Sequence, residues 1–105
     1  MTETEIKKQI TDYLKARRFL IFRMNAGRVR IGKRYIYLCP TGTPDLQVVG
    51  PPSFWLEVKK PGEEPDEDQL KMHADLRARG HVVHVVWSLD DVIAILEEET
   101  DGIPS

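Results

Sequence analysis

Three residues stand where they can do chemistry together: Asp45, Glu57 and Lys59. They belong to one stretch, TGTPDLQVVGPPSFWLEVKK (Thr41 to Lys60), which reads as two short strands joined by a tight Gly50-Pro51-Pro52 bend. Folding the chain back on that bend sets Asp45 opposite Glu57. Side chains directly opposed on an antiparallel pair have Cβ atoms about 4.5–5.5 Å apart. Two carboxylates at that distance repel each other unless a cation lies between them, and the pattern points to a divalent metal. Along the second strand Trp55, Glu57 and Lys59 alternate with Phe54, Leu56 and Val58. One face is therefore apolar, and the other ends in an acid and a base. Each residue also has an ordinary reading when taken singly. Asp45 after Pro44 suits a turn or strand start, and Glu57 with Lys59 suits a solvent-facing ion pair worth well under about 1 kcal/mol. Those readings leave the opposed acids unexplained.

The elements that must position this stretch follow from hydrophobic period and punctuation. Thr2 to about Arg18 is predicted helical, with Thr2 and Glu5 spaced as a capping box and Ile6, Ile10, Tyr13 and Leu14 on one apolar face. Glu3 falls in line with that buried face, whereas Glu5 already has work at the cap. Phe19–Asn25 reads as a strand. The basic connection GRVRIGKR follows, and Arg34–Leu38 reads as a returning strand. The motif strands are expected at Asp45–Val49 and Ser53–Lys59, then a Pro61–Pro65 loop. Asp66 is a candidate N-cap for a helix to about Arg79, closed by Gly80, with Gln69, Met72, His73 and Leu76 sharing a face. Gln69 lies three residues after Asp66 and so can complete a second capping box. HVVHVVW (His81–Trp87) reads as a buried strand, and Ser88 caps a last helix with Leu89, Val92, Ile93 and Leu96 inward. Residues 1–98 are expected to form a single domain and 99–105 a frayed tail. A strand reached through a helix crossover needs a parallel neighbour, so an α/β fold with a central mixed sheet flanked by helices is expected.

Composition narrows the classes. The 105 residues suit one domain with a modest core, and the 41% hydrophobic and 30% charged content is that of a folded chain. No apolar run approaches the ~20 residues of a membrane span, and the N-terminus lacks the order of a signal peptide. The one cysteine, Cys39, excludes an internal disulfide and points to a reducing, cytoplasmic setting. It also argues against a zinc site. The net charge of −2 hides an asymmetry: residues 1–60 carry +7 and residues 61–105 carry −9. Such polarity suits a nucleic-acid partner on the basic side, or two halves that pair with each other. Arg28, Arg30, Lys33 and Arg34 are candidate phosphate contacts in the basic connection, with Asn25 beside it. The alternative is a solvated hairpin whose charges discourage aggregation. His73 is expected as a packed helix histidine, and His81 and His84 fall on opposite strand faces.

Pro44-Asp45, an eleven-residue gap and then Glu57-Val58-Lys59 resemble the PD-(D/E)XK nuclease signature. The fuller string, GTPD, WLEVKKPG, a helix opening with Gln69, Gly80 and an apolar strand, is similar to the VRR-NUC branch of that superfamily over nearly the whole chain. The resemblance implies a restriction-endonuclease-like αβββαβ core. It also implies a Mg²⁺- or Mn²⁺-dependent endonuclease that acts on branched DNA such as four-way junctions, as a homodimer, in a bacterial or phage-infected cell. Asp45, Glu57 and the Val58 carbonyl would hold the metal, with an acid of the first helix (Glu3, or else Glu5) completing it. Lys59 would orient or help deprotonate the attacking water, and Gln69 would orient a ligand or the water. The chemistry accounts for these types. Phosphodiester hydrolysis needs acceleration toward the upper end of about 10⁶–10¹⁷. General acid–base help supplies only about 10²–10⁴, so a metal is needed as well. Two other classes stay open: a non-catalytic DNA-binding module, and a nuclease subunit of a larger repair or restriction assembly.

Overall fold

Thr2 starts the first helix by accepting a hydrogen bond from the Glu5 N–H, while the Glu5 side chain returns to the Thr2 N–H. This helix, α1 (Glu3–Ala16), turns Ile6, Ile10 and Leu14 onto a sheet and buries all three. Residues 1–101 are described in a computed structural model, in which α1 is followed by β1 (Leu20–Arg23), β2 (Arg28–Ile31), β3 (Arg34–Tyr37), β4 (Leu46–Val49) and β5 (Phe54–Val58). Then come α2 (Glu67–Ala78), β6 (Val83–Val86) and α3 (Leu89–Asp101). The main sheet has the order β1-β4-β5-β6. Its first two pairings are antiparallel, and β5–β6 is the parallel one that the α2 crossover requires. The expected αβββαβ core is present as α1, β1, β4, β5, α2 and β6, in a mixed sheet flanked by helices.

Side-chain alternation assigns the two faces of the sheet. Leu46, Val48, Phe54, Leu56, Val58 and Val86 form the core with Ile6, Ile10 and Leu14 of α1 and Val92 and Leu96 of α3. The odd-numbered residues of β5 turn to the other face, where His73 of α2 meets Glu57. Asp66 caps α2 through the Gln69 N–H. On α3 it is Ile95 that packs on the core beside Leu89, where the sequence pattern had placed Ile93. That helix also continues to Asp101, past the end of its apolar stripe. Residues 102–105 of the expected tail lie outside the described residues.

The basic connection is where the sequence reading was least complete. It forms a second strand, β2, which pairs with β3 in a separate two-stranded sheet. Gly32, at φ +61, lets the chain turn in two residues. The base of this hairpin is tied down by Leu38 N–H to Gly27 C=O and Cys39 N–H to Asn25 C=O. Beyond its base the hairpin packs on no other described element. No helix among the described residues is long and apolar enough to cross a membrane.

Candidate active site

The bend between β4 and β5 sets the register Leu46↔Leu56, Gln47↔Trp55 and Val48↔Phe54. One further step puts Asp45 opposite Glu57, as the sequence predicts. Asp45 precedes β4 by one residue, but its carbonyl accepts the Met24 N–H at 2.8 Å, so its backbone stays in the ladder. Gly42 holds the preceding loop against α2. It has φ +88, and a Cβ there would run into the backbone carbonyl of Asp68.

Asp45 is anchored from two directions. Its Oδ2 accepts the Val58 N–H at 2.8 Å, and Lys7 Nζ of α1 donates to its Oδ1 at 3.3 Å. Glu57 is deeper, at 1% exposed, which removes the solvent-facing ion-pair reading for it. Burial is the main cause that pushes its carboxyl up to about 9. The hydrogen bond with Asp45 and then the Asp45 charge push it further, while Lys59 opposes the rise and Glu3 adds to it. At neutral pH Glu57 is therefore a protonated acid facing Asp45.

His73, 1% exposed, brings Nε2 to 3.4 Å from Glu57 Oε1. The distance is that of an ion pair, yet burial pushes the imidazole down while it pushes the acid up. The contact at pH 7 is one between two neutral groups, and the imidazole tautomer decides which one donates. His73 Nδ1 is buried without a hydrogen-bond partner.

The other candidate residues are distributed as follows. Lys59 stands just past β5, half-buried, near enough to Glu57 to act on its charge. The Val58 side chain is fully buried and its N–H is taken by Asp45. Glu3 sits half-buried in the first turn of α1, within electrostatic reach of Glu57. Glu5 is held by Thr2, which lowers its carboxyl below the usual value. The Gln69 amide oxygen accepts the Asp66 N–H at 2.9 Å, so that atom serves the cap. Asn25 lines a groove of about 480 Å³ together with Asp45, Lys7 and Arg23.

Arg28, Arg30, Lys33 and Arg34 are all exposed on the hairpin. Arg28 stacks over the Tyr35 ring at 4.4 Å, and Arg30 Nε donates to the Gly32 carbonyl at 3.0 Å. Val29 lines the groove, so by alternation Arg28 and Arg30 stand on the hairpin face turned away from it. Lys7 and His73 are the neighbours of the acid pair that sequence reasoning left out of the site. Lys7 had a signal, since it follows Glu3 by four residues on the same helix face.

The donor set fits a hard divalent cation. Asp45 and Glu57 oppose each other across β4 and β5, and Mg²⁺ takes one or two carboxylates and completes its shell with waters. Among the described residues no cluster of three or more His, Cys, Asp or Glu side chains is placed to hold a metal, so a cation held by this pair would take its remaining ligands from water or phosphate oxygens.

No protein-family model matches the sequence, and no curated protein matches it either. A solved structure described as a "VRR_NUC domain" is similar to this chain at a TM-score of 0.69, with 28% identity. The alignment covers 92% of this chain and 97% of that one. Fold, length and sequence agree across nearly the whole of both, so the chain is similar throughout to a VRR-NUC domain.

Proposed function

We propose that this nuclease-type domain is a metal-dependent DNA endonuclease that hydrolyses phosphodiester bonds at the Asp45–Glu57 pair. The observation that carries the reading is Glu57, a carboxyl group 1% exposed, opposed by a second carboxyl and pushed up to about 9. A buried acid pair of this kind is costly for stability, and perturbed groups beside a groove are characteristic of functional sites.

Asp45 and Glu57 would hold Mg²⁺ or Mn²⁺, with the Val58 carbonyl and Glu3 as further oxygen donors. When bound, the cation neutralises charge on the phosphate and lowers the pKa of water. Glu57 must release its proton to become a ligand, so metal affinity rises with pH through the range in which that proton leaves. The Val58 N–H keeps one Asp45 oxygen aimed, which lowers the cost of reorganisation on loading. Lys59 orients water and a phosphate oxygen from the β5 side, and Lys7 does so from the α1 side. Gln69 has its amide oxygen committed to the cap and would act through its amide nitrogen. Arg28, Arg30, Lys33 and Arg34 present charge to more distant phosphates.

Branched DNA such as a four-way junction is the proposed substrate, cut by a homodimer. One site in a domain of this size cannot cut two strands symmetrically, whereas two copies about a two-fold axis can. The test is cleavage of linear, flap and four-way-junction DNA with Mg²⁺, Mn²⁺ or chelator, alongside the solution mass of the protein. The expected outcome is metal-dependent nicking, with junctions preferred and a dimer mass. No metal-dependent cutting on any of these substrates would sink the enzyme reading.

A further inference from the structure

A second groove of about 410 Å³ lies on α1, lined by Lys7, Lys8, Thr11, Lys15 and Arg23 with Asp12 among them. Lys7 and Arg23 also line the Asp45 groove, so the two are continuous at those residues. Four cations face one acid. Asp12 is bound to Lys8 at 2.7 Å, and the charges of Lys8, Lys15 and Arg23 all act on its carboxyl. Thr11 is 2% exposed, and its hydroxyl has no hydrogen-bond partner. Lys7 and Lys15 are two turns apart on one helix, about 12 Å along its axis. Phosphates of one DNA strand rise about 3.4 Å apiece along the duplex axis, so this span covers several of them.

We infer that this α1 groove is a phosphate-binding track, which holds the DNA strand as it leaves the Asp45 site over Lys7 and Arg23. The proposal rests on the nuclease reading for its choice of polyanion. It assigns DNA contact to Lys8, Lys15 and Arg23, on an element remote in sequence from the basic hairpin. It also gives the strand a direction: from the groove beneath Val29 and Leu38, past Asp45, onto α1. The face carrying Arg28 and Arg30 is turned away from that path, which leaves the α1 lysines as the nearer charges.

The test is binding of a fluorescein-labelled four-way DNA junction in chelator over a series of salt concentrations, with cleavage in Mg²⁺ measured in parallel. Lys8→Ala/Lys15→Ala is expected to weaken binding about ten-fold at low salt and to lower the log–log salt slope by about 1 for each lysine. In cleavage it raises KM and leaves kcat in place. Asp12→Asn removes the acid from the track and is expected to tighten binding, a direction that loss of structure would not produce. Lys71→Ala makes the same charge change on α2 and is expected to leave binding at the wild-type value.

Wild-type affinity and slope in the double variant would overturn the track, as would an equal loss in Lys71→Ala. So would unchanged DNA binding with lost self-association, which would make the acidic half of a second copy the occupant. A wild-type protein that binds with the predicted slopes but cuts no DNA upholds the track and sinks the nuclease reading. A Lys8→Ala/Lys15→Ala variant that cuts with wild-type KM and kcat does the reverse.

Discussion

Two antiparallel hairpins lie within forty residues of each other, and they differ in almost every physical respect. β4–β5 sits inside the main sheet, with α1 and α3 on one face and α2 on the other, and Leu46, Val48, Leu56 and Val58 are all fully buried. β2–β3 packs on no other described element, and Val29, Ile31, Tyr35 and Ile36 are each at least 45% exposed. The same kind of backbone ladder therefore gives charged side chains opposite conditions. Glu57 on β5 is stripped of water and pushed up to about 9. The hairpin cations stay in solvent, where they can meet phosphates without losing hydration first. Strand pairing sets which residues are neighbours. Layering decides what being neighbours does to their chemistry.

The comparison can be broken most directly through activity. Glu57→Gln is expected to lower Mg²⁺-dependent cleavage by about 10³-fold or more, the scale of removing a group that stabilises developing charge. Arg28→Ala/Arg30→Ala is expected to act mainly on KM. Steady-state kinetics on junction DNA separate the two, and a larger kcat loss from the hairpin pair would reverse the assignment of roles.

In stability the two hairpins should differ by a similar contrast. Leu56→Ala opens a cavity in the core and is expected to cost about 2–5 kcal/mol in urea unfolding. Ile31→Ala removes an exposed side chain and should stay within about 0.5 kcal/mol of wild type. A large loss from Ile31→Ala would mean that the hairpin is covered in solution.

A finer cut concerns Asp45, whose Oδ2 accepts the Val58 N–H. Asp45→Ala leaves that donor unsatisfied and is expected to destabilise the metal-free protein by about 1–3 kcal/mol. Asp45→Asn keeps an acceptor for that N–H and gives up only the charge that Lys7 and protonated Glu57 face, so it should lose less stability than Asp45→Ala while abolishing cleavage. Equal losses from the two variants would assign Asp45 a structural role.

The smallest effect per step is in pH. Glu57 holds its proton to about 9 when folded, against an ordinary value of 4.5. Between those values the native state binds more protons than the unfolded chain, so stability falls as pH rises. His73, pushed down by burial, acts in the opposite sense and only below about pH 6.5, where charging of the unfolded chain costs stability. The unfolding free energy from urea titrations in chelator should therefore fall from pH 7 to 9 by at most about 1.4 kcal/mol per pH unit. Glu57→Gln should flatten that slope, and an unchanged slope would place the titration elsewhere.

The sequence by itself determined whatever depends on neighbours within a few residues or on a fixed period. Both capping boxes, Thr2 with Glu5 and Asp66 with Gln69, follow from a three-residue spacing and appear as read. The Asp45–Glu57 opposition follows from a short bend and the two-residue period of a strand, which leave little freedom in register. The parallel β5–β6 pairing follows from a helix placed between two strands. Tertiary structure alone decided that β1 passes over the basic hairpin to pair with β4, since residues far apart in the chain must meet for Leu20 to face Val49. It alone buried Glu57 under His73 and brought Lys7 to Asp45, because desolvation and charge pairing depend on how α1 and α2 pack on the sheet. A local pattern can name two acids that face each other. Only the layers around them set how much water they lose, and that loss is what pushes the Glu57 carboxyl up to about 9.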